Sequence, residues 1–175
     1  GGSFYSAIVG DPTVFNFKDP GTSVASPVKF PIFAPNALLL NDTIVDTVAQ
    51  QAQSRGSGRN LMKAQKTYTV SAGEVSASDG QVHVRFAVSP ILQDGGHPFS
   101  SQAYLFVQIE NVTTGAVTLF SDFISANQPG VPWITANGNT YVNWQMIDWS
   151  GPSSKIKVGD SVRVTIVASG CSAGG

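Results

Sequence analysis

Apolar and polar residues alternate along most of the chain, and a period of two predicts β-strands. In residues 81–89, apolar side chains alternate with His83, Arg85 and Ala87, and residues 160–168 repeat the pattern. Residues 103–109 are apolar on both faces, which is typical of a central strand that is covered on each side. The same criteria predict shorter or less regular strands at residues 4–9, 13–17, 28–33, 37–40, 66–70, 116–124 and 140–149.

Turn signals separate these strands along the whole chain. Gly, Asn, Asp, Ser and Thr cluster at residues 78–80, 94–96, 113–115, 137–139 and 158–160, and most of these residue types favour tight turns. Residues 111–117 predict a hairpin, whereas only residues 42–54 carry a partial helical stripe. About eight to ten short strands with such turns predict an all-β fold, specifically an antiparallel two-sheet sandwich of the jelly-roll type.

The composition narrows the classes of function. Charged residues make up only 12% of the 175 residues, about half of the usual share, which is typical of secreted and surface β-proteins. The net charge of −1 argues against nucleic acid, which proteins bind through a basic footprint. No apolar run approaches the ~20 residues of a membrane span. The single cysteine excludes an internal disulfide.

The C-terminal residues predict an uncovered sheet edge. Residues 140–149 and 160–168 read as two strands joined by a Gly-Pro-Ser-Ser turn, and Gly-Cys-Ser-Ala-Gly-Gly then closes the sequence. We expect a last strand in this position to leave an edge of unpaired N–H and C=O groups. Such an edge can pair with another chain.

Residues with catalytic or metal-binding chemistry are few. His97 and Glu110 could form a metal site or an acid–base site. Zinc usually takes three or four protein ligands, and the sequence offers only two histidines and one cysteine. We expect His97 to fix its loop and Cys171 to be a small buried residue at a turn. Four aspartates lie at predicted turns and strand ends, namely Asp79, Asp94, Asp148 and Asp160. Turn formation is the first explanation for their presence there.

Calcium is the one cofactor for which the sequence offers an argument. Two or three of the aspartate-containing loops could together hold a calcium ion, although the ligand spacing of a recognised calcium loop is absent. No sequence motif of a catalytic nucleophile, a phosphate-binding loop or a zinc protease occurs. We therefore predict that the protein is not an enzyme and needs no cofactor.

Aromatic residues near the C-terminus suggest a second kind of function. Trp133, Tyr141 and Trp149 are candidates for an exposed platform that stacks on sugar rings, with Tyr141 and Trp149 on one face of a single strand. Trp144 lies on the other face of that strand and is predicted to be in the core. Core packing is the more common fate of a tryptophan, so the platform is the alternative prediction.

Several motifs in the second half of the chain occur in an order that resembles a known family. Leu-Gln-Asp-Gly-Gly-His-Pro-Phe at 92–99 lies between two predicted strands, and Trp-Gln-Met-Ile-Asp-Trp follows at 144–149. Val-Gly-Asp-Ser-Val-Arg-Val at 158–164 then precedes Cys-Ser-Ala-Gly-Gly at 171–175. This order resembles, over residues 36–175, a jelly-roll module of large bacterial surface and secreted proteins that are often associated with adhesion or gliding. The resemblance implies a secreted, cell-surface protein without a catalytic role.

The resemblance also suggests how the subunits assemble. In the family, the Cys-x-x-Gly-Gly phrase leads into a final strand that this sequence lacks. Residues 1–11 offer a replacement, a donor strand whose contacts come from Phe4, Tyr5, Ala7, Ile8 and Val9, and residues 12–175 then form the sandwich. If this strand inserts into the next copy, head-to-tail contacts build a filament. If it folds back, it is an edge strand of its own subunit.

Two functions follow as expectations. The first is a structural subunit of an extracellular bacterial fibre or surface assembly, which forms homo-oligomers or filaments by strand exchange. The second is a carbohydrate-binding module of an adhesin or secreted enzyme, which recognises glycans through exposed aromatic side chains.

Overall fold

The computed structural model describes residues 5–6, 15–18, 25–28, 38–39, 44–46, 51–53, 61–136, 139–142 and 145–171. Strands dominate these residues, and the only helical segments among them are two 3₁₀ turns, Ala72–Glu74 and Phe99–Ser101. The strand pairs are antiparallel apart from one short parallel pair. The predicted all-β class is therefore confirmed.

A four-stranded antiparallel sheet forms one layer of the second half of the chain. Its order is β11 (Val117–Ser125), β10 (Tyr104–Asn111), β15 (Ser161–Ser169) and β7 (Leu61–Thr69). Strands β10 and β11 form the predicted hairpin, with Asn111 paired to Val117 across the turn. Gly115 in that turn has φ = 139°, a conformation that side chains other than glycine rarely adopt.

The last predicted strand lies inside this sheet rather than at its edge. Strand β15 pairs along its whole length with β7 on one side and over residues 162–169 with β10 on the other. The expectation of an uncovered edge at this strand is therefore wrong. The physical reason is β7, which extends over nine residues, whereas the sequence pattern indicated only residues 66–70.

A long antiparallel ribbon faces the four-stranded sheet. Strand β8 (Val82–Val88) pairs with β14 (Gln145–Gly151), and β9 (Ile91–Gln93) continues the ribbon by pairing with β13 (Asn139–Tyr141). Strand β12 (Ile134–Ala136) pairs with the other side of β13. The Val142 N–H donates to the Pro90 carbonyl oxygen at 3.1 Å, which joins the two halves. The predicted single strand at residues 140–149 is thus two strands, and the side chain of Trp144 lies outside the described residues.

The core lies between the ribbon and the four-stranded sheet. Val82 and Val84 of β8 pack there with Ile109 of β10 and Val162 of β15, and all four are at most 4% exposed. A second group of buried residues, Val88, Leu105 and Val107, continues the same interface. Alternation along each strand therefore places one apolar face of each layer against the other.

A β-bulge adjusts the edge strand β11 to this core. Ile109 pairs with Phe120 and Glu110 with Thr118, so Leu119 is an extra residue on β11. An extra residue breaks the alternation of side chains, and Leu119 and Phe120 consequently both pack against the core.

The first third of the chain contributes short strands. They are β1 (Tyr5–Ser6), β2 (Phe15–Lys18), β3 (Ala25–Val28), β4 (Leu38–Leu39), β5 (Ile44–Asp46) and β6 (Gln51–Gln53). Strands β5 and β6 pair antiparallel with each other, so the helical pattern predicted at residues 42–54 is wrong there. The β-branched Ile44 and Val45 favour extended backbone, and the apolar stripe is too short to stabilise a helix.

Candidate functional site

Four charged side chains meet on the outer face of the ribbon. Arg85 of β8 is directly opposite Asp148 of β14, and His83 is opposite Ser150. Asp79 comes from the turn that precedes β8, where its carboxylate accepts the Gln81 N–H at 2.9 Å. We call Asp79, His83, Arg85 and Asp148 the histidine cluster.

His83 lies between two carboxylates. Its Nδ1 is 2.7 Å from Asp148 Oδ1, and its Nε2 is 3.0 Å from Asp79 Oδ2. The second oxygen of Asp148 accepts the Nε–H of Arg85 at 3.0 Å. An ionised carboxylate can only accept hydrogen bonds, so both ring nitrogens of His83 donate to these carboxylates when the ring is protonated.

The pKa values in the histidine cluster agree with this charge state. Hydrogen bonds to Asp79 and Asp148 raise the pKa of His83 above its ordinary value. The Gln81 N–H and then His83 lower the pKa of Asp79, whereas Arg85 and then His83 lower the pKa of Asp148. While its ring is protonated, His83 donates to a carboxylate from each nitrogen, so it links the turn before β8 to β14.

A different kind of cluster lies where the 94–102 loop meets the turn after β11. Asp94 Oδ1 accepts the Gly96 N–H at 3.1 Å and the Gln102 Nε2–H at 2.8 Å, and Asp94 Oδ2 accepts from Asn127 Nδ2. Gln102 Oε1 and Ser125 Oγ are buried and have no hydrogen-bond partner in the described part of the protein. We call Asp94, Gln102 and Asn127 the Asp94 cluster.

The exposed aromatic residues are not the ones predicted. Phe99 is 58% exposed and Phe123 is 39% exposed, and their ring centroids are 6.1 Å apart. Tyr104 joins them with its ring 4.8 Å from that of Phe123. Phe123 pairs with Phe106 and Tyr104 with Ser125, so these rings lie on the outer face of the four-stranded sheet.

The predicted platform residues have different surroundings. Trp149 packs, partly buried, against the core beside Val84. Trp133 packs against a separate group that includes Leu92 and Cys171, and its indole N–H donates to the Gln128 carbonyl at 3.2 Å. Tyr141 is paired in β13, a different strand from the β14 of Trp149. The structure therefore does not place Tyr141 and Trp149 on one face of a single strand.

The other predicted chemistry-bearing residues are separate from one another. His97 lies against Gly95 within its loop, whereas Glu110 accepts the Nε–H of Arg163 at 2.9 Å near the far end of β10. The acid–base pair of His97 and Glu110 is therefore not formed. Cys171 is 2% exposed and packs with Ala103 and Ala126, which confirms the prediction of a small buried residue.

The aspartates considered for calcium do not form one site. Asp148 lies within β14 rather than at a strand end, and its oxygens bind His83 and Arg85. Asp160 Oδ2 accepts from Asn111 Nδ2 and from the Lys157 N–H. Among the described residues, no group of three or more His, Cys, Asp or Glu residues could hold a metal ion.

Alternation along the strands could have indicated half of the histidine cluster, because it places His83 and Arg85 together on the outer face. The strand register that brings Asp148 opposite Arg85 is not visible in the sequence.

The predicted donor strand is described only in part. Tyr5–Ser6 pairs through its backbone with Leu38–Leu39, whereas Phe4, Ala7, Ile8 and Val9 lie outside the described residues.

Comparison of the chain with protein-family models, with curated proteins and with solved structures finds no match. The resemblance to the bacterial surface module therefore rests on the sequence motifs alone. In the described part of the chain, no helix has the length and apolarity needed to cross a membrane.

Proposed function

We propose that the chain is a non-enzymatic structural subunit of an extracellular bacterial fibre or surface assembly. A strand donated by a neighbouring copy completes its sandwich, which is of the jelly-roll type. The observation that carries this proposal is the unequal width of the two layers. Among the described residues, the β8–β14 part of the ribbon has two strands and the facing sheet has four, so this part of the ribbon is about 10 Å narrower at a strand spacing of about 4.8 Å.

Side chains near β7 reflect this difference in width. Val164 and Ile166 of β15 point towards the core but are only partly buried. Lys66, which pairs with Val164 from β7, is exposed. A strand added beside the ribbon would cover this part of the sheet and would bury more of these side chains.

Residues 1–11 are the candidate donor. Burial of an apolar side chain such as Phe4 or Ile8 contributes about 1.5–3 kcal/mol, and a strand adds main-chain hydrogen bonds to the ribbon edge. Within one chain, β1 has a described pairing of two residues with β4.

Two further observations support an extracellular and structural role. The low share of charged residues, 12%, is typical of surface β-proteins. In the histidine cluster both nitrogens of His83 are engaged by carboxylates, and the Cys171 thiol is buried. Neither residue is therefore presented as a catalytic base or nucleophile.

Peptide complementation tests whether the strand slot exists. A variant that lacks residues 1–10 is mixed with a synthetic peptide of residues 1–11, and thermal unfolding is recorded. We expect the peptide to raise the melting temperature, whereas a peptide with Ile8→Asp should not, because a charge cannot be buried without a partner. Equal effects of the two peptides, or none from either, would contradict the proposal.

Glycan binding is the second candidate function, and the aromatic group Phe99, Tyr104 and Phe123 favours it. Exposed aromatic rings can stack on sugar rings, and Gln108 and Thr118 supply polar groups on the β10–β11 hairpin that carries Tyr104 and Phe123. Binding to a glycan array should be lost in Phe99→Ala and kept in Val117→Ala, an apolar residue of the same sheet that is also 58% exposed. Unchanged binding in Phe99→Ala would refute this role of the aromatic group.

A further inference from the structure

Strand β11 forms an edge of the four-stranded sheet within the described residues, because its one strand partner there is β10. Unlike the other edge strand, β7, it has no lysine, and its one charged residue is Asp122. Two of its side chains, Val117 and Phe123, are large, apolar and exposed, and Phe99 lies beside Phe123. Such an edge is a template for pairing with another chain unless something covers it.

The register with β10 shows which main-chain groups of β11 face this edge. The Ala126 N–H donates to the Ala103 carbonyl oxygen at 2.9 Å, on the side of β10. Main-chain groups of an antiparallel strand alternate between its two sides, so the N–H and C=O groups of Ser125, Phe123 and Ser121 point away from β10. A strand added to β11 would pair with the groups of these three residues.

Two of the three outward positions are covered by side chains of the same chain. The Phe123 N–H donates to Asp122 Oδ1 at 2.8 Å. The Ser125 N–H donates to Gln128 Oε1 at 3.1 Å, and the Ser125 carbonyl oxygen accepts the Gln128 N–H at 3.1 Å. A residue of an added antiparallel strand would form the same two hydrogen bonds with Ser125, so Gln128 occupies its position.

Further contacts keep the β11 edge closed at both ends. The Asp94 cluster holds the turn that carries Gln128, because the Asn127 side chain donates to Asp94. The indole N–H of Trp133 donates to the Gln128 carbonyl oxygen at 3.2 Å. At the other end of β11, the bulge at Leu119 interrupts regular pairing and increases the twist of the strand.

We propose that Asp122 and Gln128 are side-chain caps that prevent the β11 edge from pairing with a second copy of the chain. Without the caps, β11 pairs antiparallel with the β11 strand of another copy about a twofold axis, because an edge strand is complementary to itself in that orientation. The exposed side chains of Val117 and Phe123 add apolar contacts to this pairing. With β11 capped, an added strand is directed to the ribbon, and only this consequence rests on the strand-exchange proposal.

Amide hydrogen exchange of the full chain tests the caps themselves. Asp122→Ala should lower the protection factor of the Phe123 N–H about tenfold, and Gln128→Ala should do the same for the Ser125 N–H, because each N–H loses its acceptor. Asp122→Asn and Gln128→Glu should keep the protection, since both new side chains retain an acceptor oxygen. Unchanged protection in either alanine variant would overturn the proposal.

Sedimentation of the full chain tests what the caps prevent. The double variant Asp122→Ala/Gln128→Ala should form particles of about twice the wild-type mass, because twofold pairing joins two copies. The matched control, Asp122→Asn/Gln128→Glu, keeps both acceptors and the net charge, so its particles should have the wild-type mass. Adding Ser121→Pro to the alanine double variant should restore that mass, because proline removes an outward N–H and leaves the pairing with β10 intact.

The outcome is distinguishable from that of the strand-exchange proposal. If the wild type is monomeric, strand exchange fails, but a dimeric alanine double variant still supports the caps. If the wild type forms filaments, electron micrographs of the alanine double variant should show filaments joined side by side. Wild-type particles in the alanine double variant, doubled particles in the matched control, or doubling that persists with Ser121→Pro would each overturn the proposal.

Discussion

The four-stranded sheet and the ribbon that faces it differ in how their edge strands are protected from pairing with another chain. In the sheet, β10 and β15 are paired on both sides, and the edge strand β7 carries Lys63 and Lys66. Lysines on an edge discourage pairing with another chain. In the ribbon, the described part of β14 has β8 as its one partner. The difference indicates that an added strand joins the ribbon rather than the β7 edge of the sheet.

The largest expected effect comes from the core that the two layers share. Ile109 is 0% exposed at the centre of this core, so Ile109→Ala should lower the free energy of unfolding by about 2–5 kcal/mol through lost burial and a cavity. Ile134, which is 42% exposed on β12, is the matched control, and Ile134→Ala should cost less than about 1 kcal/mol. Urea unfolding measures both. Equal losses would show that the layers do not share a core as described.

A smaller effect is expected where the ribbon ends. A Cβ atom at Gly151 would lie 2.8 Å from Trp149 Cζ2, so Gly151→Ala should push the indole from its place in the core and cost about 1–3 kcal/mol. Gly73→Ala is the control, because the nearest atom to its added Cβ is 3.8 Å away. Trp149 fluorescence should shift in the first variant only. A Gly151→Ala protein as stable as the wild type would show that the packing of Trp149 against the core does not stabilise the ribbon.

The smallest effect concerns pH. The pKa of His83 is raised from 6.5, so its stabilising contribution is complete below pH 6.5 and is lost as pH rises through the higher folded-state pKa. The pKa values of Asp79 and Asp148 are lowered from 3.8, so their contribution is present above pH 3.8 and is lost as pH falls through the lower folded-state pKa. The histidine cluster therefore stabilises the ribbon most between these two pH values.

The two histidines of the chain make this prediction testable. Melting temperatures of the wild type, His83→Gln and His97→Gln are compared between pH 5 and pH 9. His83→Gln should remove part of the decline with rising pH, whereas His97→Gln should keep it. A decline that depends on His97 instead would refute the assigned role of His83.

The sequence indicated the regular strands of this fold better than their arrangement. Alternation identified β8 and β15, because one buried face imposes a period of two on each strand, and apolar residues on both faces identified β10. Alternation missed most of β7, where Lys63, Gln65 and Lys66 face solvent at a sheet edge and leave little apolar signal. The break between β13 and β14 was missed because residues 142–144 contain no glycine or proline.

The candidate sites were harder to predict because they depend on strand register. His83 and Asp148 are 65 residues apart in sequence, and only the pairing of β8 with β14 brings them together. The aromatic group on the outer sheet face was likewise missed, since Phe99 lies in a loop and Tyr104 and Phe123 in two strands. The predicted aromatic platform relied on tryptophans instead, and Trp133 and Trp149 both pack against buried residues.

The most direct test of strand exchange is the size of the particles that the purified chain forms. Electron microscopy and sedimentation are applied to the full chain and to the variant that lacks residues 1–10. Strand exchange predicts filaments from the full chain, monomers from the shortened one, and shorter filaments when a peptide of residues 1–11 is added to the full chain. Filaments that persist without residues 1–10, or a full chain that remains monomeric at every concentration, would contradict the account.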